Sequence, residues 1–294
     1  MIIMPDDITV KEGYVYGGWR EPKNIWRNLT TSIHDDATAQ KVGMRGGTIP
    51  GTIHLSLFPP VLLKIFGDQW FENGSLSLYY TFATTDREKV RAVIAQPPEG
   101  VADAQVEARV EMPDGKIVAK GTVSIGSPNE PSYLQSLDLK SSKPEELLIL
   151  SDFKTGYEFK PRDISISQEK AEKGFVAITD HLEYYKGNSP WGCGILSPTA
   201  ISRVMALGAE LTATRTLKAV AFYGATEIQN ISGPVKVGVP YKVSGKLICV
   251  GASSKTEFFW YDSVLEEKES GKQIAKMRHM NRFMKASSPL YQSY

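Results

Sequence analysis

Residues 47–66 read GTIPGTIHLSLFPPVLLKIF, and this stretch limits how the rest of the chain can fold. Almost every residue after Gly51 is apolar or small, so a helix formed here has no polar face to leave in water. Pro50 is acceptable at a helix start, whereas Pro59 and Pro60 force a kink or a break. The stretch therefore predicts one long buried helix over about Pro50–Phe66, interrupted near its middle.

The preceding segment, residues 33–44, reads IHDDATAQKVGM and holds one imidazole and two carboxylates, those of His34, Asp35 and Asp36. A glycine-rich turn then leads into the helix. The first backbone N–H groups of a helix have no partner inside that helix, so they can bind an anion. The combination is that of an acid–base site with donors for a negatively charged oxygen.

The chain also contains a weak internal repeat. GTIPGT at residues 47–52 resembles GILSPT at residues 194–199, which lies 147 residues later. Three further landmarks follow in the same order: His34 with His181, Lys89-Val90 with Lys236-Val237, and DGKIVAK (114–120) with SGKQIAK (270–276). The last pair is 156 residues apart, as expected if the second copy has a longer hairpin. The landmarks predict one structural unit written twice.

Each copy reads as a first strand, a loop, a long apolar helix and a run of strands with alternating or β-branched residues. The second helix is predicted near Pro198–Leu211. Predicted strands cover Ser75–Ala83, Lys89–Ile94, Ala104–Met112 and Lys116–Ile125 in the first copy, and Lys218–Gln229, Val235–Val250, Thr256–Leu265 and Lys272–Met284 in the second. A turn at residues 113–115 makes the first sheet antiparallel.

We therefore predict an N-terminal unit over residues 1–126, a linker over residues 127–152 and a C-terminal unit over residues 153–294. The linker region is rich in Ser, Pro and Lys and has little periodicity. Each sheet is expected to curl round its own helix, and the two sheets are expected to pair edge to edge. That arrangement removes two exposed sheet edges and covers both helices.

Composition excludes several classes of partner. The 294 residues include 34 basic and 33 acidic side chains, so no overall field attracts nucleic acid or an anionic membrane. Two cysteines, Cys193 and Cys249, are too few for a disulfide framework and lack metal-ligand spacing. No window has the length of apolar sequence that a membrane span needs. We expect a cytoplasmic protein that binds a small molecule, without nucleic acid, membrane or metal.

The order of elements, together with His34, Asp36, Ala39, Gly43-Met44 and the turn at residues 49–51, resembles the MaoC-like double hotdog family. The family includes the (R)-specific enoyl-CoA hydratases, which add water to an enoyl thioester or remove it from a 3-hydroxyacyl thioester. The resemblance is clearest from about Asn28 to Val93 and is architectural beyond that range. It implies an α+β double hotdog fold, in which two antiparallel sheets each wrap a central helix.

The resemblance also implies roles for individual residues. His34 stands at the position of the family's catalytic histidine, and Gly51, with Thr52 beside it, at the position that supplies an oxyanion N–H. The family pattern has an aspartate five residues before the histidine and an asparagine three before it, where this chain has Leu29 and Thr31. Leucine cannot transfer a proton, so either Asp36 or Asp35 assists His34, or another carboxylate does, or the chain is not a hydratase.

The second copy lacks one of these groups. Pro198 corresponds to Gly51 and has no N–H to donate, which indicates that the first copy carries the reaction. His181 and Tyr184 could line the substrate pocket from the other side, or could be ordinary packed residues. In eukaryotic members of the family the second half generally keeps the catalytic motif, so the arrangement here is reversed.

The function expected from these features is a hydro-lyase acting on an acyl-CoA or acyl-carrier thioester, or a related activated carbonyl compound, with no cofactor. Two alternatives stay open. The same scaffold could catalyse a cyclisation, a C–C bond step or a thioesterase-like hydrolysis, or it could bind an acyl or aromatic ligand without turnover. A chain with two hotdog units is already a minimal unit, and a homodimer of it is possible.

Overall fold

The computed structural model describes residues 7–29, 32–98, 100, 102–213 and 217–292. The strands of these residues form one continuous antiparallel sheet. Its eleven strands within those ranges are, in chain order, β1 (Thr9–Lys11), β2 (Tyr14–Tyr16), β3 (Gly74–Tyr80), β4 (Arg91–Ala95), β5 (Ala104–Glu111), β6 (Ile117–Ile125), β7 (Glu158–Ile164), β8 (Ala221–Asn230), β9 (Tyr241–Ala252), β10 (Thr256–Glu267) and β11 (Gln273–Met284). Across the sheet they run β1-β2-β4-β5-β6-β3-β8-β11-β10-β9-β7, with every neighbouring pair antiparallel.

The helices are short. The α-helices of the described residues are α1 (Asp36–Lys41), α2 (Pro59–Phe66), α3 (Trp70–Asn73), α4 (Gln168–Lys173), α5 (Pro198–Met205) and α6 (Gly208–Ala213). Turns of 3-10 helix occur at Gly51–Leu57, Gly67–Gln69, Pro144–Glu146, Phe175–Ala177, Glu183–Lys186, Lys285–Ser287 and Pro289–Tyr291. No helix of the described ranges has both the length and the apolar character needed to cross a membrane.

The two halves of the chain meet in the middle of the sheet. Strand β3 of the first half pairs with β8 of the second, in a register that runs from Ser75 opposite Gln229 to Tyr79 opposite Ala225. The predicted edge-to-edge pairing is therefore confirmed. Strands β3–β6 and β8–β11 lie where the sequence predicted strands, apart from their ends. The largest difference is at β9, which starts at Tyr241 because Gly238, with a φ of 82°, and Pro240 turn the chain before it.

The first central helix is not one continuous α-helix, and this corrects the prediction. The segment Gly51–Leu57 is a 3-10 helix, and α2 starts after Phe58. The physical reason lies in Pro59 and Pro60, which have no N–H groups and can occupy only the first turn of a new helix. The second predicted helix is likewise divided into α5 and α6.

The two central helices touch each other. The Thr199 hydroxyl at the start of α5 donates to the Thr52 carbonyl at 2.8 Å, and it also lies 2.6 Å from the Ser56 hydroxyl. All three residues are buried. Because Thr52 and Thr199 occupy matching places in the repeat, this contact joins the two copies at equivalent positions.

A buried carboxylate holds part of the predicted linker in place. Glu257 of β10, which is fully buried, accepts hydrogen bonds from the amides of Leu148, Ile149 and Leu150 at 2.7–3.1 Å. It also accepts one from the hydroxyl of Tyr291 near the C-terminal end of the described chain. A single acidic side chain thus holds two segments against β10.

Candidate active site

His34 lies in the loop before α1, and one of its two ring nitrogens is already engaged. Nδ1 is 2.7 Å from the carbonyl oxygen of Thr48, at the start of the turn that leads into the central helix. A carbonyl oxygen can only accept, so Nδ1 carries the proton and the neutral ring presents Nε2 as a base. Asn24 fixes the backbone, because its side-chain amide donates to the His34 carbonyl at 2.8 Å. The ring also packs near Trp26, with centroids 5.8 Å apart.

The surroundings of His34 keep its ring neutral. Burial lowers the pKa of His34 below its ordinary value of 6.5, and the hydrogen bond to Thr48 opposes that shift only in part. Lowering the pKa favours the uncharged form near neutral pH. The ring can therefore accept a proton from a ligand at Nε2.

The predicted partnership between His34 and an adjacent aspartate is not found. Asp35 caps α1, where its side chain accepts from the amide and the hydroxyl of Thr38, each at 2.8 Å. Asp36 accepts from the amide of Gly47 at 2.6 Å and so shapes the glycine-rich turn. Within the described residues neither carboxylate bonds to the His34 ring, and we do not assign either a part in proton transfer.

Leu29 and Thr31 stand where the resemblance led us to expect an aspartate and an asparagine, and Leu29 has no group that could transfer a proton. Leu29 is 51 % exposed and lines the outer part of a cavity beside His34. Thr31 lies outside the described residues. Neither position therefore supplies a described carboxylate that bonds to the His34 ring.

The amides of Gly51 and Thr52 open the 3-10 helix and have no hydrogen-bond acceptor in the described part of the chain. The first hydrogen bond at this end runs from the Ile53 amide to the Pro50 carbonyl at 2.9 Å. Glycine is required for packing here: a Cβ at Gly51 would lie only 2.7 Å from the ring of Tyr80. The two amides are free to bind a negatively charged oxygen.

A cavity of about 600 Å³ brings His34 and Gly51 together. One wall comes from the first half, through the loop of His34, the turn into the helix and the end of β3. The other comes from the second half, including Phe222 of β8 and Phe283 of β11. The lining is largely apolar, as in sites that hold small organic molecules.

A second cavity of about 410 Å³ adjoins the first, since His34, Pro50 and Tyr223 line both. Its wall also contains Thr52 and Arg203. Among the described residues that line either cavity there is no aspartate or glutamate. His34 thus lies between two adjoining cavities, each of which has one arginine in its lining, Arg282 in the larger and Arg203 in the smaller.

Several residues of this site were missed by the sequence analysis. His54 and His279 are each 2 % exposed, and each uses one ring nitrogen on a threonine hydroxyl, Thr84 at 3.0 Å and Thr226 at 2.9 Å. Burial lowers the pKa of His54 to about 4 and that of His279 to about 3. Tyr80 and Tyr223 belong to β3 and β8, the strands that join the two halves. No local signal marked these four residues, because the site forms only when distant strands meet.

The predicted contribution of His181 and Tyr184 is not found at these cavities. His181 is exposed, and its Nε2 donates to the carbonyls of Phe175 and Ile178. The Tyr184 hydroxyl donates to Asp68 at 2.5 Å. Neither side chain lines either cavity, so we leave both out of the site.

The backbone shows which residue of the second half truly corresponds to His34. The Thr48 amide donates to the Ile33 carbonyl at 2.8 Å, and the Ile195 amide donates in the same way to the Tyr184 carbonyl at 3.0 Å. Thr48 and Ile195 also form matching isolated bridges, to Thr85 and Lys236. The residue after Tyr184, Tyr185, is therefore the counterpart of His34.

This match corrects two landmarks of the predicted repeat. The pairing of His34 with His181 is four residues out of register, and so is the pairing of Lys89-Val90 with Lys236-Val237. The loop that contains α1 makes the segment from His34 to Thr48 longer than the matching segment from Tyr185 to Ile195. A single sequence separation between the copies therefore cannot match both the histidine position and the helix start. The helix start and the hairpin turns at Gly115 and Gly271 keep their predicted match, since both glycines have positive φ at the same place in the turn.

Comparison with known proteins gives similarity in structure without similarity in sequence. No protein-family model and no curated protein matches the sequence. A structure from Chloroflexus aurantiacus, described as a MaoC domain protein dehydratase, superposes with a TM-score of 0.60 at 10% identity and covers 94% of this chain and 96% of its own. A Mycobacterium tuberculosis protein described as having a double hotdog fold superposes with a TM-score of 0.52 at 11% identity, covering 91% and 96%. The chain therefore has the α+β double hotdog fold.

Proposed function

We propose that the chain catalyses the hydration of an enoyl thioester, or the reverse dehydration of a 3-hydroxyacyl thioester, at the cavity between His34 and Gly51. A related activated carbonyl compound would satisfy the same chemistry. The observation that carries the proposal is that His34, whose ring is neutral, and Gly51 and Thr52, whose amides are unpaired among the described residues, line two adjoining cavities large enough for an acyl group. The fold shared with the Chloroflexus aurantiacus dehydratase is consistent with this reaction class.

The free nitrogen of His34 supplies the acid–base step. In the hydration direction, Nε2 removes a proton from water as the water oxygen bonds to the β-carbon. The electron pair of the double bond then moves through the α-carbon onto the thioester oxygen. The imidazolium returns the same proton to the α-carbon, so one residue acts first as base and then as acid. This scheme needs no carboxylate bonded to the His34 ring, and none of the described residues provides one.

The amides of Gly51 and Thr52 support the step in which negative charge develops. In the enolate intermediate the thioester oxygen carries the charge. The amides of Gly51, which lines the larger cavity, and Thr52, which lines the adjoining smaller one, would stabilise that charge. Proline at the matching position of the second half removes one of these donors there. The reaction is therefore assigned to the first half.

The substrate is expected to be an acyl-CoA or an acyl-carrier thioester, without an additional cofactor. Ile33, Met44 and Phe82 line the larger cavity from the first half, and Leu217 and Phe222 line it from the second. These side chains suit an apolar acyl group. A homodimer of the chain stays a prediction, and sedimentation analysis would measure it.

Incubation of the purified protein with enoyl-CoA compounds of short and medium chain length tests the proposal. Loss of the conjugated enoyl absorbance should be fast for the wild type and nearly absent for His34→Asn. In addition, kcat/KM should fall on an acid limb below pH 6.5, because the neutral ring is the base and burial lowers its pKa. If wild type and variant are equally inert at every chain length, hydration is rejected.

Hydrolysis of the thioester is the second candidate. It is favoured by Leu29, which stands where a hydratase of the resembled family has its aspartate. His34 would activate water for attack on the carbonyl carbon, and the same amides would hold the resulting oxyanion. A thiol reagent separates the two reactions, because hydrolysis releases free CoA and hydration does not. Turnover of saturated acyl-CoA with release of thiol would assign the chain to thioester hydrolysis. Binding without turnover in either assay would indicate a ligand-binding protein.

A further inference from the structure

We infer that Arg203, in the smaller cavity, binds an anionic group of the substrate while the acyl chain lies in the larger cavity. The inference deepens the proposed function, and it takes from that function the expectation of a thioester ligand. The anionic group has two possible sources with the same chemistry. It is either a phosphate of the CoA-type carrier or a carboxylate on the acyl portion.

Arg203 lacks the acidic partner that several other described arginines have. Arg20, Arg27 and Arg45 each reach a carboxylate at 2.6 Å. Arg203 forms no ion pair within the described residues, and its guanidinium lies 5.2 Å from the ring centroid of Trp26. Stacking on an aromatic ring orients the guanidinium but leaves its N–H donors free for a planar anion.

Arg282 in the larger cavity does not offer the same opportunity. Its guanidinium is engaged by the hydroxyl of Tyr79 and by the sulfur of Met280. The cation of the smaller cavity is therefore the better anion site of the two. The absence of aspartate and glutamate among the described lining residues means that no side chain competes with a ligand for Arg203.

Arg203 is open to a ligand. It is exposed to solvent and also lines the smaller cavity, so an anion can reach its guanidinium there. Since His34 and Tyr223 line the same cavity, an anion at Arg203 would hold the ligand with its reacting carbon near His34.

Three saturated thioesters, which hydration cannot consume, test the inference by binding, with a thiol reagent used to verify that none is hydrolysed during the titration. Butyryl-N-acetylcysteamine is neutral, succinyl-N-acetylcysteamine carries a carboxylate on the acyl side, and butyryl-CoA carries phosphates on the carrier side. Titration calorimetry, with Trp26 fluorescence as a second readout, measures each affinity for the wild type, Arg203→Gln and Arg203→Lys. The matched control is Arg109→Gln, because Arg109 is paired with Glu111 and lies outside both cavities.

We expect at least one anionic probe to bind the wild type more tightly than the neutral probe does. Arg203→Gln should weaken that probe about tenfold or more and leave the neutral probe unchanged. Arg203→Lys should recover part of the loss, and Arg109→Gln should have no effect. A loss confined to butyryl-CoA assigns Arg203 to the carrier phosphates, and a loss confined to the succinyl probe assigns it to an acyl carboxylate.

Equal weakening of all probes by Arg203→Gln, no weakening, or no measurable binding of any probe would overturn the inference. The result is independent of the reaction itself. Selective loss at Arg203 without hydration of enoyl-CoA would reject the proposed function alone. Normal hydration with unselective binding would reject the role of Arg203 alone.

Discussion

His34 and Tyr185 occupy matching places in the two halves of the sheet, and their surroundings are opposite. Each follows a residue whose carbonyl accepts a hydrogen bond from the turn that leads into the central helix. His34 is half-buried and lines both cavities, whereas Tyr185 is completely buried and lines neither. The same backbone frame therefore supports an open site in one half and a packed core in the other.

The first residues of the two central helices also differ between the halves. Gly51 lines the larger cavity and has an unpaired amide among the described residues, whereas Pro198 has no N–H and lines neither cavity. An aspartate and a histidine five residues apart are also divided between the halves: Leu29 precedes His34 by five residues, while Asp180 precedes Tyr185 by five. Asp180 accepts from Arg20 at 2.8 Å. Neither half has both side chains at this spacing, although the two halves share the backbone frame.

Removal of the His34 imidazole should give the largest effect. We expect His34→Asn to lower kcat/KM by about 10³-fold, because general acid–base catalysis contributes on the order of 10²–10⁴. Asparagine retains a donor for the Thr48 carbonyl, so the fold should be preserved. Steady-state kinetics and thermal unfolding measure the two quantities.

His181→Asn is the matched control, since His181 lies on the surface of the other half. It should change kcat/KM by less than about twofold. Equal losses in the two variants would show that the difference between the halves does not decide catalysis.

Substitution at the start of the first central helix should have the next largest effect. Gly51→Ala places a Cβ against the Tyr80 ring, which displaces the ring or the amide. We expect about a 10²-fold loss of activity, within the range reported for loss of one oxyanion donor. Overpacking should also lower the free energy of unfolding by about 1–3 kcal/mol.

The corresponding change in the second half is Pro198→Ala. It restores an N–H at a place where no cavity needs one, so activity should stay within about twofold. Kinetics and denaturant unfolding of both variants make the comparison. Full activity of Gly51→Ala would exclude an oxyanion role for this amide.

Each half contributes one buried histidine, and these two should make stability depend on pH. In the unfolded chain a histidine has a pKa near 6.5, while burial lowers the pKa of His54 to about 4 and that of His279 to about 3. Between pH 6.5 and those values the unfolded state binds more protons than the native state. The stabilisation is therefore complete above pH 6.5 and is lost as pH falls, on the order of 2 kcal/mol for each residue.

Chemical denaturation at pH 7 and pH 4.5 tests this dependence. His279→Asn and His54→Asn should each lose less stability between the two pH values than the wild type does. His181→Asn, at an exposed position, should behave as the wild type. The same loss in all four proteins would place the acid sensitivity elsewhere.

Removal of the Tyr185 hydroxyl should have the smallest effect. This buried hydroxyl has no hydrogen-bond partner in the described part of the chain. Tyr185→Phe should therefore change the free energy of unfolding by less than about 1 kcal/mol, or slightly stabilise the protein. Activity should be unchanged.

Tyr184→Phe provides the contrast, because it removes a hydrogen bond to Asp68. It should cost about 1 kcal/mol or more. Denaturant midpoints give both values. A clear loss on Tyr185→Phe would reveal that the second half holds a polar contact at the place of the first half's histidine.

Much of the fold could be predicted from local patterns. Alternating and β-branched residues marked β3–β6 and β8–β11, and the two prolines marked the break before α2. The weakest point was the register of the repeat, since one sequence interval could not allow for the longer loop around α1. Backbone hydrogen bonds resolve that register, and they move the counterpart of His34 from His181 to Tyr185.

The sequence by itself determined the duplication and the two central helices, and it singled out the segment from His34 to Gly51 as the candidate site. Only the tertiary structure decided which groups surround them. It turned Asp35 and Asp36 to the backbone, and it brought Arg203 and Tyr223 to His34. The physical reason is that strand patterns and proline effects act between neighbours in the chain, whereas a cavity between two half-sheets is made by residues far apart in sequence.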